Sequence, residues 1–234
     1  MTADMHEAYP LFLLIFLLIG VIILHGGDGV KKNYQIELDK EIEKITESGE
    51  LPSLLLHSCC GPCSSYVLEY LSKYFNVTVL YFNPNIYPKE EYLHRLREQE
   101  RIIAELPALN KVSLMESDYN YDEFLNFTKG FESEREGGTR CDKCFRLRLQ
   151  KTAQLAAEND FDYYTTTLSV SPHKNSQLLN AIGEELSEAY GVRHLPADFK
   201  KREGYKRSIE LSKQYDLYRQ NYCGCEFSLR QAQE

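Results

Sequence analysis

The chain carries seven cysteines, and they fall into three tight clusters: Cys59-Cys60-Gly61-Pro62-Cys63, Cys141-Asp142-Lys143-Cys144 and Cys223-Gly224-Cys225. Cysteines serving only as small core hydrophobes would be scattered. Clustered thiols whose partner clusters lie far off in sequence are what a metal cage or a thiol redox centre requires. A four-iron cluster takes four thiolates, which Cys59, Cys60, Cys141 and Cys144 can supply. Adjacent cysteines both face one site where the backbone turns sharply, as Gly61-Pro62 permits. Cys141 and Cys144 stand three apart and share one face of a helix. Zinc is the alternative for such a quartet. A zinc site built from four cysteines normally uses two evenly spaced pairs, so the adjacent pair fits iron–sulfur better.

The remaining thiols leave alternatives open. Cys60-Gly61-Pro62-Cys63 is also the dithiol of thioredoxin-like proteins, set after a strand and opening a helix. That reading needs one pair and leaves four clustered thiols unexplained. Cys63 is then a further metal ligand or an auxiliary thiol. A disulfide between Cys223 and Cys225 would span a single residue. Such a bridge is strained and easily reduced, which suits a pair that relays two electrons. Two more metal ligands are the other reading.

Weaker candidates flank these clusters. Asn83, Asn85 and Tyr87 follow an apolar run, as do Ser171, His173 and Lys174 further on. Each set is an ordinary polar turn or a substrate contact. Lys200, Lys201 and Arg207 belong to the densest basic run, Lys200 to Arg207. Most charge runs are merely solvated. In an acidic chain this one stands out as a phosphate-contacting patch, which Arg140, Lys143, Arg146 and Arg148 would extend.

Elements must bring these residues together. Residues 53–58, 77–82, 111–116, 163–167 and 192–195 read as short strands. Segments 35–48, 64–74, 90–106, 121–128, 140–159, 177–190 and 205–215 read as helices. The first helix reads as exposed and amphipathic, with Ile36, Leu38, Ile42 and Ile45 on its apolar face. Ser64 or Ser65 would cap the second. Alternating strands and helices predict an α/β fold with a parallel sheet covered on both faces. Ligands bind such sheets at the carboxyl ends of the strands, where the first cysteine cluster falls. A helix N-terminus at that point favours thiolate over thiol.

At 234 residues the chain can bury a core without disulfide staples. The odd cysteine count and 27 Lys and Arg fit a reducing, cytoplasmic compartment. The formal net charge of −8 supplies no global field for nucleic acid. Residues 31–234 read as one catalytic domain behind a leader, 1–30, whose stretch Pro10 to Leu24 is almost unbroken apolar. At roughly 15 residues that stretch is short of the ~20 that cross a bilayer. Three readings stand: a membrane anchor, a cleaved export signal, or untranslated sequence. In the last, Gly26-Gly27-Asp28 is encoded by a ribosome-binding sequence and translation starts at Val30.

Taken together, HSCCGPC, YFNPNIYPKEEY, GGTRCDKCFRLRL, YYTTTLSVSPHKN, DFKKREGYKRSIELSK and YDLYRQNYCGC resemble the H-type epoxyqueuosine reductases, from about Leu54 to Leu229. The resemblance implies a Rossmann-like fold of the adenine-nucleotide-hydrolase group. It implies reduction of epoxyqueuosine, at the wobble position of tRNA, to queuosine with loss of water. Carried over by position, Cys59, Cys60, Cys141 and Cys144 would hold a 4Fe–4S cluster. Cys223 and Cys225 would form the redox-active pair. Some members are implied to hold a further, mononuclear iron. An electron donor is implied but not identified. The apolar leader departs from the soluble family pattern and leaves membrane association open. Asp198, His173 or a tyrosine would donate the proton, and Tyr81 or Tyr87 would stack on a flipped base.

Overall fold

The Ser53–His57 run, SLLLH, is buried along nearly its whole length, as a strand with neighbours on both edges and layers on both faces must be. This is β1 of a sheet seen in a computed structural model that describes residues 31–234. The apolar stretch 10–24 and the start at Val30 lie outside the described residues. The other strands are β2 (Asn76–Tyr81), β3 (Val112–Glu116), β4 (Tyr163–Thr166) and β5 (Arg193–His194). All pair in parallel, in the order β3-β2-β1-β4-β5. Chain order reverses between β1 and β4. The crevice beyond their carboxyl ends is where such sheets bind ligands.

The helices are α1 (Tyr34–Ser48), α2 (Gly61–Leu71), α3 (Lys89–Glu105), α4 (Tyr121–Phe127), α5 (Thr139–Glu158), α6 (Ser176–Tyr190), α7 (Gly204–Gln214) and α8 (Glu226–Gln233). Successive strand residues point to opposite faces, and β1 divides accordingly. Leu54 and Leu56 join a core with α1, α2 and Phe199; Leu55 joins a second core with α5, α6 and Phe227. The sheet is therefore sandwiched, as the alternation of elements predicts. Among the described residues, no helix is long and apolar enough to cross a membrane.

Four local expectations are corrected. Helix α2 starts at Gly61 rather than Ser64, with Cys60 as its N-cap and Pro62 in the first turn. Proline's fixed φ suits that position. Ser64 and Ser65 are consequently inside the helix and donate back to the Gly61 and Pro62 carbonyls, at 3.0 and 2.9 Å. Ile36 is 48% exposed, because it lies about 200° around α1 from Leu38. The buried face is instead Leu38, Ile42 and Ile45, with Tyr34 and Gln35. Strand β5 has only two residues. Leu195 adds one bond to the Tyr164 carbonyl, after which Pro196, lacking an N–H, ends the ladder. Helix α8 lies beyond the last expected element; its cue is the step from Cys225 to Ser228, which closes a cap.

Candidate metal centre and adjoining cavity

Each cysteine cluster opens a helix. Cys60 is the N-cap of α2, Cys141 is the third residue of α5, and Cys225 is the N-cap of α8. A helix N-terminus, the positive end of its dipole, therefore lies beside each cluster. Ser228 N–H donates to Cys225 Sγ at 3.4 Å, and Gly137 N–H to Cys141 Sγ at 3.2 Å. Gly224 holds φ +143° between Cys223 and Cys225, a conformation that admits glycine best. All seven cysteines are free thiols.

The thiols of Cys59, Cys60 and Cys63 lie within 4.8 Å of one another, with Cys59 Sγ 3.7 Å from Cys60 Sγ. Cys60 and Cys63 act as donors to Cys59 and hold its pKa well below the ordinary thiol value. The same bonds push Cys60 up to about 11, and Cys63 well above its usual value. Cys141, Cys144, Cys223 and Cys225 line a second, tight recess together with Asn85, Arg140 and Arg148. Burial pushes Cys144 up to about 12. Cys223 joins the two groups, since it lines both this recess and an open cavity with Cys59 and Cys63 on its wall.

That cavity has a volume of about 560 Å3, within the usual range for small-molecule sites. Ser171, His173 and Lys174 line it, as do Glu136, Tyr205, Arg219, Gln220 and Tyr222. The placement follows from topology: Cys59 and Cys63 come just after β1, Ser171 to Lys174 shortly after β4. Burial opposes the charge on Lys174, but Cys223, Cys59 and Cys63 outweigh it and raise its pKa. His57, fully buried at the end of β1, braces the crevice. Its Nε2 lies 3.1 Å from the Phe82 carbonyl and its Nδ1 2.9 Å from Thr166 Oγ1. A carbonyl only accepts, which assigns the proton to Nε2. Burial lowers the His57 pKa to about 3 and keeps the ring neutral.

Other singled-out residues sit elsewhere. Asn83 is buried and donates to the Ser58 carbonyl at 2.8 Å. Tyr87 packs against Tyr121, and its carbonyl accepts from the Tyr222 hydroxyl at 2.9 Å. Tyr81 is 0% exposed, leaving no face for a base. Asp198 gives its oxygens to Ser176 and Lys200. Arg207 grips Glu69 through two nitrogens, and Arg146 grips Glu185 likewise. Arg140 and Arg148 are each 1% exposed and present no surface to a phosphate. Sequence reading passed over Glu136, Tyr205 and the Arg219–Tyr222 wall. The available signal was the run YRQNY placed directly before the third cluster.

The donor set is compatible with a metal or iron–sulfur cofactor. Orphaned polar atoms bear this out: Arg95 Nη2, Arg140 Nε and Nη2, and Arg148 Nη2 are buried without partners among the described residues. Arg148 lies in the field of thiols from all three clusters, Cys144, Cys223, Cys59 and Cys141. Buried guanidinium nitrogens left without partners around sulfur donors fit a site built for an anionic group.

The family model for epoxyqueuosine reductase QueH matches residues 54–231. The protein of that name from Streptococcus pyogenes serotype M1 is 43% identical over 204 residues, covering 85% of this chain and 80% of its own. The one from Staphylococcus epidermidis is 42% identical over 205 residues, covering 84% and 86%. The one from Thermotoga maritima is 35% identical over 188 residues, covering 78% and 93%. These matches set aside the thioredoxin-like and zinc-module readings and make the chain an oxidoreductase of queuosine biosynthesis. With sheet, cysteines and cavity in place, the chain belongs to the QueH family of epoxyqueuosine reductases.

Proposed function

We propose that the protein reduces epoxyqueuosine at the wobble position of tRNA to queuosine, and that residues 31–234 carry all of this chemistry. The observation that supports it is the gathering of three cysteine-headed helices beside one open cavity at the point where strand order reverses. The reaction adds two electrons and two protons, breaks both epoxide C–O bonds, forms the ring double bond and releases water.

Cys59, Cys60, Cys141 and Cys144 would hold a 4Fe–4S cluster, which supplies low-potential electrons. Cys63 would serve as auxiliary thiol or as ligand to a further iron. Cys223 and Cys225 release two electrons and two protons when they close to a disulfide, the number the substrate consumes. An external donor must reopen that bond. Tyr205 and Tyr222 offer rings to a base turned into the cavity. Lys174 lines the same space, and its ammonium suits the epoxide oxygen as a hydrogen-bond donor. His173 and the Tyr205 hydroxyl are candidate proton sources on the cavity wall. Asp198 is withdrawn from that role, since Ser176 and Lys200 already occupy its oxygens.

Nucleoside analysis of tRNA from a strain lacking the gene tests the reading. Epoxyqueuosine should accumulate, and the wild-type gene should clear it. Cys141→Ala should lose bound iron, iron–sulfur absorption and activity together. Full activity from colourless, iron-free protein prepared without oxygen would refute the cluster.

A further inference from the structure

Three buried arginines surround the sulfur donors, but two have other work. Arg95 pairs with Glu91 at 2.7 Å and supports the Cys223 carbonyl at 3.1 Å. Arg140 Nη1 ties down the carbonyls of Phe131, Glu132 and Glu134. Arg148 is different. Its one bond to another residue's carbonyl runs back one turn of its own helix, from Nε to the Cys144 carbonyl at 3.1 Å. Its Nη2 is unpartnered, and no carboxylate pairs with it among the described residues. The side chain is 1% exposed and lines the recess with Cys141, Cys144, Cys223 and Cys225.

A buried guanidinium without a countercharge is costly to a folded chain. It is retained at low cost only if an anion comes to it. We propose that Arg148 is the built-in countercharge of the iron–sulfur group, a positioning residue that raises its reduction potential and leaves the group-free chain destabilised. This rests on reading the thiols as an iron–sulfur site. The physical reason is direct. Each electron added makes a thiolate-ligated cluster more negative, and a fixed cation in a site of low polarity favours the more negative state. Removing the cation therefore moves the potential down. A purely structural arginine would leave the potential where it is.

Arg148→Met, Arg148→Lys and wild type are prepared without oxygen and assayed for iron and sulfide. The potential of each loaded protein is then titrated by electron paramagnetic resonance. At one fixed applied potential the reduced-to-oxidised ratio of Arg148→Met should fall several-fold, a tenfold fall being about 59 mV for one electron. Arg148→Lys, keeping the charge, should stay near wild type. Thermal melting of the iron-free proteins gives an independent readout. Iron-free Arg148→Met should melt at or above iron-free wild type, because it has lost an uncompensated charge. A loaded Arg148→Met with unchanged potential overturns the proposal. So does an iron-free Arg148→Met that melts well below iron-free wild type, and that measurement decides the matter if the variant fails to load. Wild type that binds no iron would instead refute the cluster itself.

Discussion

Three thiols within 4.8 Å of one another cannot all ionise together, because each negative charge opposes the next. The geometry gives the first charge to Cys59, which accepts from Cys60 and Cys63. Cys60, pushed up to about 11, stays a thiol at neutral pH. In metal-free protein Cys59 is therefore the first of the trio to ionise, with the other two as donors to it. Brief treatment with iodoacetamide at pH 7 should place the first adduct on Cys59, which also lines the open cavity. Peptide mass spectrometry reads the order. Adducts arriving first on Cys60 would contradict the arrangement. The clustering of the cysteines was legible as spacing alone. What spacing could not give was which clusters meet: Cys223 lines both the cavity with Cys59 and Cys63 and the recess with Cys141, Cys144 and Cys225. Those neighbours depend on how the ends of α2, α5 and α8 meet, and local sequence does not encode that meeting.

At the scale of elements, the main strands and helices were readable because their apolar periods are strong, and the misses fall at ends. Pro62 moved the start of α2 earlier, and Pro196 cut β5 short. Short β5 depends instead on a side-chain contact. The His194 ring lies so close over Gly183 of α6 that it leaves no room for a Cβ there. The ring also packs against Tyr164, and its Nδ1 has no partner among the described residues. Burial, helped by Lys32, lowers the His194 pKa from 6.5 to about 3. Between those values only the unfolded chain takes up the proton. Stability from this site is thus full above pH 6.5 and is lost as pH falls toward 3. The loss should be about 2 kcal/mol between pH 6.5 and 5. Urea unfolding of wild type and His194→Gln at both pH values checks it. The variant should show a smaller drop over that interval. Parallel drops in both proteins would show that His194 is not the group responsible.

For the molecule as a whole, a net charge of −8 must be reconciled with a polyanionic substrate. The basic run from Lys200 to Arg207 read as a phosphate patch, yet most of its charges already have partners. Lys200 holds Asp198 at 2.8 Å with both side chains largely buried, and Arg207 holds Glu69 and Glu210. Arg202 and Lys206 pair at the surface with Asp39 and Glu203. Composition counts such charges; only the fold shows which are committed. Lys201 is exposed and free of a carboxylate among the described residues, and Lys174 and Arg219 line the cavity. A set of about three cations releases few counterions, so binding of tRNA should weaken only gently with salt. With about 0.7 to 0.9 of a counterion per phosphate contact, log K against log salt should slope at roughly −2 to −3. Lys201→Gln should make that slope shallower by somewhat less than one unit while leaving the melting temperature alone. Lys200→Gln should do the reverse, since it strips Asp198 of its partner and touches no phosphate. Filter binding across a salt series, with melts of each variant, separates these neighbours. A wild-type slope steeper than about −6 would mean that the paired arginines and lysines let go of their carboxylates and turn to the RNA.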